Sequence, residues 1–497
     1  MFRRILIANR GEIAVRIARA CRDLGVESVA VCSDADRDAL HVIEADRAVH
    51  IGAAPATDSY LRVEAILEAA ASTDCDAVHP GYGFLAENAA FARAVGDSGL
   101  VFIGPAPLAI EAMGDKIRAR EIAGAAGVPL PPAATIEGAA KARAAGDEVG
   151  MPLLVKAAGG GGGKGMRTVR ETGDLASAIE AARREARAAF GDDRVYLERL
   201  VEGARHIEIQ VLADQHGNCI HLGERECSIQ RRHQKIVEES PSPAVDQRLR
   251  AQLTTAALSL ARAVDYRNAG TVEFLLDGDA NIYFLEMNTR LQVEHPVTEW
   301  VTGIDMVQAQ IRIAANEPLW VRQSDIEPRG HAIECRLYAE DAQRDFAPSS
   351  AAIELLRAPA GPWTRFDSGI REGFVIPLEY DPMMAKLSVW GACREDARRR
   401  MVEALRELAL IGPSSTGSFL IDVLQHPAFA SGATNTSFLD QHMPSWTQPT
   451  DDLTLAAAVA ALHQLVNHSP SPSTAAGEPS PWQTLGSWRS FGDGGSE

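Results

Sequence analysis

Residues Arg4 to Ala8 form an apolar run of the kind found in buried strands. Asn9-Arg10-Gly11-Glu12 interrupts it. Ile13, Ile17, Ala20 and Leu24 then recur at helical spacing until Gly25. Ser28-Val29-Ala30-Val31-Cys32 is a second apolar run. Strand, helix and strand in that order predict a parallel sheet covered by helices. A further strand at Ala77-Val78 runs into His79-Pro80-Gly81-Tyr82-Gly83-Phe84. This turn, rich in glycine and aromatic rings, falls where open parallel sheets bind ligands. The first turn lacks Gly-x-Gly-x-x-Gly, which speaks against a nicotinamide or flavin site.

Further along, Leu153-Leu154-Val155-Lys156 and Met166-Arg167-Thr168-Val169 read as strands on either side of a glycine run. Ala-rich helices are predicted over Gly138 to Val149 and Leu175 to Ala189. Thr271 to Leu276 and Ile282 to Asn288 read as two strands joined at Asp277-Gly278-Asp279, a hairpin signal. After Pro328 come more strands and one helix, about Arg394 to Ala409, ending near His442. A helix is predicted over Thr454 to Asn467. The Pro/Ser/Gly-rich stretch beyond it has too little apolar content to fold alone.

The chain has 497 residues, 46% of them hydrophobic, enough for about three domains. Its formal charge is −18, from 49 basic against 67 acidic residues, which argues against a general nucleic-acid binder. The seven cysteines are scattered and include no Cys-x-x-Cys pair, so neither a disulfide framework nor a structural zinc site is expected. No apolar run approaches the roughly 20 residues needed to span a bilayer. The opening residues are interrupted too soon for a secretory signal. The expectation is a cytoplasmic protein acting on small molecules, with neither membrane nor nucleic acid as partner.

Candidate chemistry begins at the glycine run Gly159 to Gly163, followed by Lys164-Gly165. Without Cβ atoms these residues can wrap backbone N–H groups around phosphate. The run is not a Walker A loop, because glycine follows Lys164 where Ser or Thr would stand. Lys116 and Lys156 could supply fixed positive charge to a nucleotide. In the hairpin, Glu273 and Glu286 stand equally far from the turn, so pairing would set them opposite each other, with Asn288 on the face of Glu286. Two carboxylates and an amide amid apolar strands fit magnesium. Taken singly, the glycine run can be a linker and the glutamates can be solvated. Arg290, Gln292 and Glu294 follow directly, offering an oxyanion fork, a directed donor and a proton acceptor. A basic segment, Glu224 to Lys235, could serve phosphate and bicarbonate. Its Cys227 reads as a packed thiol.

Together these stretches resemble biotin carboxylase, the ATP-grasp component of biotin-dependent carboxylases. The likeness is carried by Ile7 to Ala14, His79 to Asn88, the glycine run, Glu226-Cys227-Ser228-Ile229-Gln230-Arg231-Arg232-His233-Gln234-Lys235, and Glu286-Met287-Asn288-Thr289-Arg290-Leu291-Gln292-Val293-Glu294-His295-Pro296. It implies an α/β protein with a Rossmann-like N-terminal domain (1–107), an ATP-grasp core (108–328) and an α+β C-terminal domain (329–442). A mobile lid would occupy about 131–200, and a helix and flexible tail would fill 443–497. It also implies roles. Lys116, Lys156, Gly160, Gly161, Gly162, Gly163, His206, Gln230, His233, Leu275 and Glu286 would contact ATP, with the backbone around Glu198 to Leu200 at the adenine. Glu273, Glu286 and Asn288 would hold two magnesium or manganese ions. Lys235, Arg290, Gln292 and the Val293 backbone would hold bicarbonate, and Glu294 would deprotonate it. Arg336 would stabilise the enolate-like form of biotin, with Tyr82 beside the biotin ring.

The implied reaction is ATP-dependent carboxylation of carrier-bound biotin through carboxyphosphate, the first half-reaction of an acyl-CoA carboxylase. No Ala/Val-Met-Lys-Met biotinylation motif occurs. A separate biotinylated carrier and a carboxyltransferase subunit are therefore expected partners, and the family commonly forms homo-oligomers. Pro481 to Arg489 looks like the approach to the coupling region of acyl-CoA carboxylase α subunits, so the chain is expected to be such a subunit shortened after its carboxylase domain. Two rivals stand beside this reading. One is an ATP-grasp ligase phosphorylating bicarbonate for carbamoyl phosphate, which would lack the His79 turn and the Gln230 to Lys235 segment. The other is a non-catalytic nucleotide-binding module.

Overall fold

The computed structural model describes residues 1–136, 142–159, 166–448 and 457–464. Met1–Gln448 make up one compact unit and Pro449–Glu497 a second. In the second, residues 457–464 are helical, inside the predicted Thr454 to Asn467 helix, whose ends lie outside the described residues.

The first apolar runs become parallel strands Arg4–Ile7, Glu27–Ser33, Arg47–Gly52, Ala77–His79 and Val101–Phe102. Arg4–Ile7 lies in the middle, with Glu27–Ser33 on one side and Ala77–His79 on the other. The strand order therefore reverses direction beside it, and a crevice opens past the carboxyl ends at that point. Both turns bordering this crevice are pinned together. The Asn9 side-chain amide donates to the carbonyls of Pro80 (2.8 Å) and Tyr82 (2.7 Å). Gly81 permits this approach: it has φ +62°, and a Cβ there would meet the Asn9 amide at 2.9 Å.

A four-stranded antiparallel sheet falls within 131–200, in the order Ala133–Thr135, Val195–Arg199, Leu153–Ala157, Arg167–Val169. Helices Ala142–Val149 and Leu175–Phe190 pack on it, at the predicted places. The predicted start of the first, at Gly138, and the loop residues Gly160, Gly161, Gly162 and Gly163 lie outside the described residues.

The largest sheet has eight strands and runs through both regions predicted after Leu108. Its order is Ile282–Asn288, Asn268–Leu276, Arg205–Ala213, Cys219–Arg231, Gln234–Ser240, His331–Tyr338, Met383–Gly391, Thr364–Ser368. Gln234–Ser240 pairs with His331–Tyr338, so one continuous sheet carries Lys235, Glu273 and Arg336. The hairpin is anchored by Phe274 and Phe284, buried with ring centroids 6.5 Å apart. Each such buried side chain contributes about 1.5–3 kcal/mol. The opposite face of the hairpin presents Glu273, Leu275, Leu285, Glu286 and Asn288 to the site.

Candidate active site

Sixteen of the residues singled out from sequence border one cavity of about 860 Å³. Lys116, Lys156, Leu200, His206, Gln230, His233 and Leu275 lie on its wall. So do Lys235, Glu273, Glu286, Asn288, Arg290, Gln292, Val293, Glu294 and Arg336. Tyr82 and Glu198 are not on that wall.

The hairpin brings Glu273 opposite Glu286, though not for the reason the sequence offered. The strands close on Leu276 and Ile282, and uninterrupted pairing from there would set Glu273 against Leu285. A bulge between Glu273 and Phe274 shifts the register by one residue and restores the carboxylate pair. Asn288 then donates to Glu273 at 2.9 Å, and Lys116 reaches Glu286 at 2.5 Å. Lys116 opens the helix Lys116–Ala125, whose N-cap Asp115 accepts from the amides of Ile117 and Arg118. A cap of this kind stabilises a helix start by about 1 kcal/mol and fixes the lysine's root.

Lys235 sits at the centre of the carboxylates. Its ammonium donates to Glu208 (2.5 Å), Glu273 (2.8 Å) and Glu294 (2.6 Å), which uses all three of its protons. Burial pushes its pKa down, but the three carboxylates outweigh burial and hold it well above the usual lysine value. Glu294 shows the converse. Burial raises its pKa, yet Lys235, Arg336 and Arg225 together hold its carboxyl below the usual range. Arg336 donates from Nε to Glu238 at 2.6 Å and from Nη2 to Glu294 at 2.9 Å. Gln292 donates to Glu273 at 2.7 Å, and Arg290 holds Asn288 Oδ1 at 2.9 Å.

Beside Lys235, its cross-strand partner, Gln230 lies 2.8 Å from His206 Nδ1. His206 Nε2 stands 3.0 Å from Glu273 Oε2. Lys156 is buried and paired with Glu198, whose carboxylate is also held by Arg120. The side chain of Glu198 is thus turned into the protein rather than into the cavity. Tyr82 is half-buried at the His79 turn, its ring 5.7 Å from the ammonium of Lys386. Cys227 is fully buried, and burial pushes its thiol pKa well above the usual value, consistent with a packed thiol. All seven cysteines are free.

Sequence reasoning missed four groups that hold this site in place. Glu208 takes Lys235 and Arg225. Glu238 takes Arg336. Glu87 accepts from Arg290 Nε at 2.9 Å and from the Thr289 amide at 3.1 Å. Arg225 is fully buried and places all five N–H groups: on Glu208, on Gln210 (2.7 Å) and Thr298 (3.0 Å), and on Thr271 (3.0 Å) and Gln292 (2.8 Å). A signal for Glu208 was present. His206-Ile207-Glu208-Ile209-Gln210 alternates with period two, aiming three polar side chains at one face. Arg225→Met should cost about 3–5 kcal/mol by leaving Glu208 and four neutral acceptors without their buried donor. Equilibrium urea unfolding should show a correspondingly lower midpoint.

Two neighbouring carboxylates and an amide oxygen form an oxygen donor set for a hard divalent cation, and two lysines and a basic segment beside them offer positive charge to phosphate oxygens. Past them, Arg290, Gln292, Lys235 and Glu294 can grip and deprotonate a small oxyanion.

Comparison with known proteins gives a consistent picture. The family model described as "Biotin carboxylase, N-terminal domain" matches residues 1–110. "Carbamoyl-phosphate synthase L chain, ATP binding domain" matches 115–322, and "Biotin carboxylase C-terminal domain" matches 334–441. The chain is 50% identical to the biotin carboxylase of Allochromatium vinosum, over 89% of this chain and 98% of that one. It is 47% identical to the propionyl-CoA carboxylase alpha chain of Ruegeria pomeroyi, over 94% of this chain and 72% of that one. Among solved structures it is similar to the biotin carboxylase domain dimer of Hydrogenobacter thermophilus 2-oxoglutarate carboxylase, crystallised with MgADP, ADP and bicarbonate. The TM-score is 0.88 and the identity 44%, covering 90% of this chain and 99% of that one.

Proposed function

The chain belongs to the biotin carboxylase family, and from that premise we propose how its residues divide the work. It is a ligase that carboxylates biotin with bicarbonate at the expense of ATP and with magnesium as metal ion. The carbamoyl-phosphate rival shares the ATP-binding region alone; the flanking regions match biotin carboxylase.

The observation that carries the assignment of roles is the convergence of Lys235 and Arg336 on opposite oxygens of Glu294, beside Gln292 and Arg290, on the wall of the ATP-sized cavity. Lys116, Lys156, His206, Gln230 and His233 bind ATP, with Leu275 and the Glu198 to Leu200 backbone at the base and the glycine loop over the phosphates. Glu273, Glu286 and Asn288 would hold magnesium or manganese, which when bound offsets charge on the transferring phosphoryl group. Arg290, Gln292, Lys235 and the Val293 backbone orient bicarbonate. Glu294 takes its proton, and attack on the γ-phosphate yields carboxyphosphate. Bound substrate anions draw Lys235 and Arg336 partly away from Glu294 and so raise its basicity from the suppressed value of the free site. Arg336 then stabilises the biotin anion, with Tyr82 beside the ring.

The domain division follows the same reading: a Rossmann-like part (1–107), an ATP-grasp part (108–328) and a C-terminal part (329–442), with the sheet inside 131–200 acting as a lid. Closure keeps water from the acyl phosphate. Relatives of this chain are parts of larger biotin-dependent carboxylases. The proposed partners are a biotinylated carrier, a carboxyltransferase subunit and a second copy of the chain, with an acyl-CoA as final acceptor. No helix among the described residues is long and apolar enough to cross a membrane. The compartment proposed is the cytoplasm.

The test is ATP hydrolysis with magnesium and bicarbonate, with and without free biotin. Biotin should stimulate phosphate release and yield carboxybiotin. Hydrolysis indifferent to both biotin and bicarbonate would sink the reading.

A further inference from the structure

Lys386 is 1% exposed, in the strand Met383–Gly391. It is one of the largest side chains buried completely, and none of the roles above uses it. Its ammonium lies 3.5 Å from a carboxylate oxygen of Glu12. Both oxygens of Glu12 are buried and have no hydrogen-bond donor. An ammonium so placed gains most by closing onto its counter-ion. Instead its short hydrogen bond, 2.7 Å, goes to the backbone carbonyl of Val293.

That carbonyl belongs to the planar peptide joining Val293 to Glu294, so holding it also fixes where the Glu294 Cα starts. Lys386 is the direct cross-strand partner of Arg336. The pair therefore grips the 293–294 segment twice: Arg336 on the Glu294 carboxylate at 2.9 Å, Lys386 on the peptide before it. The same ammonium stands 5.7 Å from the centroid of the Tyr82 ring, within range of a cation–π attraction. Two further carboxylates feel its charge. Asp367 across the strand is engaged by Arg365 at 2.9 Å. Glu334, fully buried on the neighbouring strand, has no hydrogen-bond donor and is pushed by burial well above the usual carboxylate pKa.

We propose that Lys386 is a positioning residue, holding the Val293–Glu294 peptide and the Tyr82 ring in fixed relation. It thereby sets the distance between the bicarbonate-activating end of the site and the biotin end. This rests on the roles given above to Glu294, Val293 and Tyr82. Its consequence is coupling. With the peptide released, ATP is still bound and cleaved, but the activated carboxyl group is formed out of reach of biotin and is lost to water.

Lys386→Met keeps the length of the side chain and removes the donor. Carboxybiotin formation should fall about 100-fold, the effect of an ångström-scale misplacement. ATP hydrolysed per biotin carboxylated should rise, with the KM for ATP unchanged. Because Lys386→Met alone takes from buried Glu12 its nearest cation, the deciding variant is Lys386→Met combined with Glu12→Gln. If Lys386 positions the peptide, the pair regains the thermal unfolding midpoint of the unsubstituted chain and stays uncoupled. A folded variant, single or paired, that carboxylates biotin with the unsubstituted chain's rate and ATP ratio overturns the proposal. The unsubstituted chain, assayed alongside, separates the two readings: absence of biotin-stimulated hydrolysis there overturns the functional assignment itself.

Discussion

Replacing Glu294 with glutamine is expected to lower biotin-dependent ATP hydrolysis about 1,000-fold while leaving the protein folded. General-base catalysis is worth roughly 10²–10⁴-fold, and glutamine keeps the shape and an acceptor oxygen but cannot take the bicarbonate proton. The folded state should tolerate the change because neither cation is abandoned. Lys235 retains Glu208 and Glu273, and Arg336 retains Glu238. Nucleotide binding should be nearly unaffected, since Lys116 and Lys156 are held by Glu286 and Glu198, and Gln230 by His206, rather than by Glu294. Single-turnover phosphate release with ATP and bicarbonate measures the chemical step, and fluorescence titration with ATP measures binding. Wild-type turnover in the glutamine variant would remove Glu294 from the mechanism.

Lys235→Ala is expected to lose activity to a similar degree and, unlike Glu294→Gln, to lose stability as well. The ammonium separates three buried carboxylates, and taking one partner from such a cluster costs about 3–5 kcal/mol. The cost should depend on pH, and its sign follows from the shifts. In the intact protein Glu273 and Glu294 are held below the usual range: burial raises both, and the neighbouring cations more than reverse it. Their contribution is present above the unfolded pKa and is lost as pH falls through the folded one. Without Lys235 the crowded carboxylates bind a proton more readily in the folded state than in the unfolded chain. The variant is then penalised as pH rises through that elevated pKa. The stability gap between the two proteins should therefore narrow from pH 8 towards pH 5. Urea unfolding across that range tests this; a gap that is constant or widens in acid would show that charge repulsion is not the cause.

Period-two alternation identified the hairpin and its polar face, and the opposition of Glu273 and Glu286 is real. Simple counting from the turn nevertheless fails by one residue, and a bulge that no local pattern announces puts the pair back in register. Cys227 read correctly as a packed thiol because a small sulfur among apolar neighbours is cheapest when buried. Arg225 could not be read this way. A fully buried arginine looks identical in sequence to an exposed one, and its burial depends on acceptors drawn from four separate stretches, Glu208/Gln210, Thr271, Gln292 and Thr298.

By itself, the sequence determined the strand–helix alternation, the polar faces, the residue types able to hold phosphate, metal ion and bicarbonate, and the resemblance that joined them. Those properties are local: they follow from side-chain period, turn chemistry and the donor atoms each residue carries. Only the tertiary structure decided which charges share which counter-ions. Lys235 on three carboxylates, Arg336 and Lys386 on either side of Val293–Glu294, and Lys156 turned onto Glu198 all arise where strands distant in sequence become neighbours in a sheet. Coulombic attraction and burial act through space, so their outcome is set by packing rather than by position along the chain.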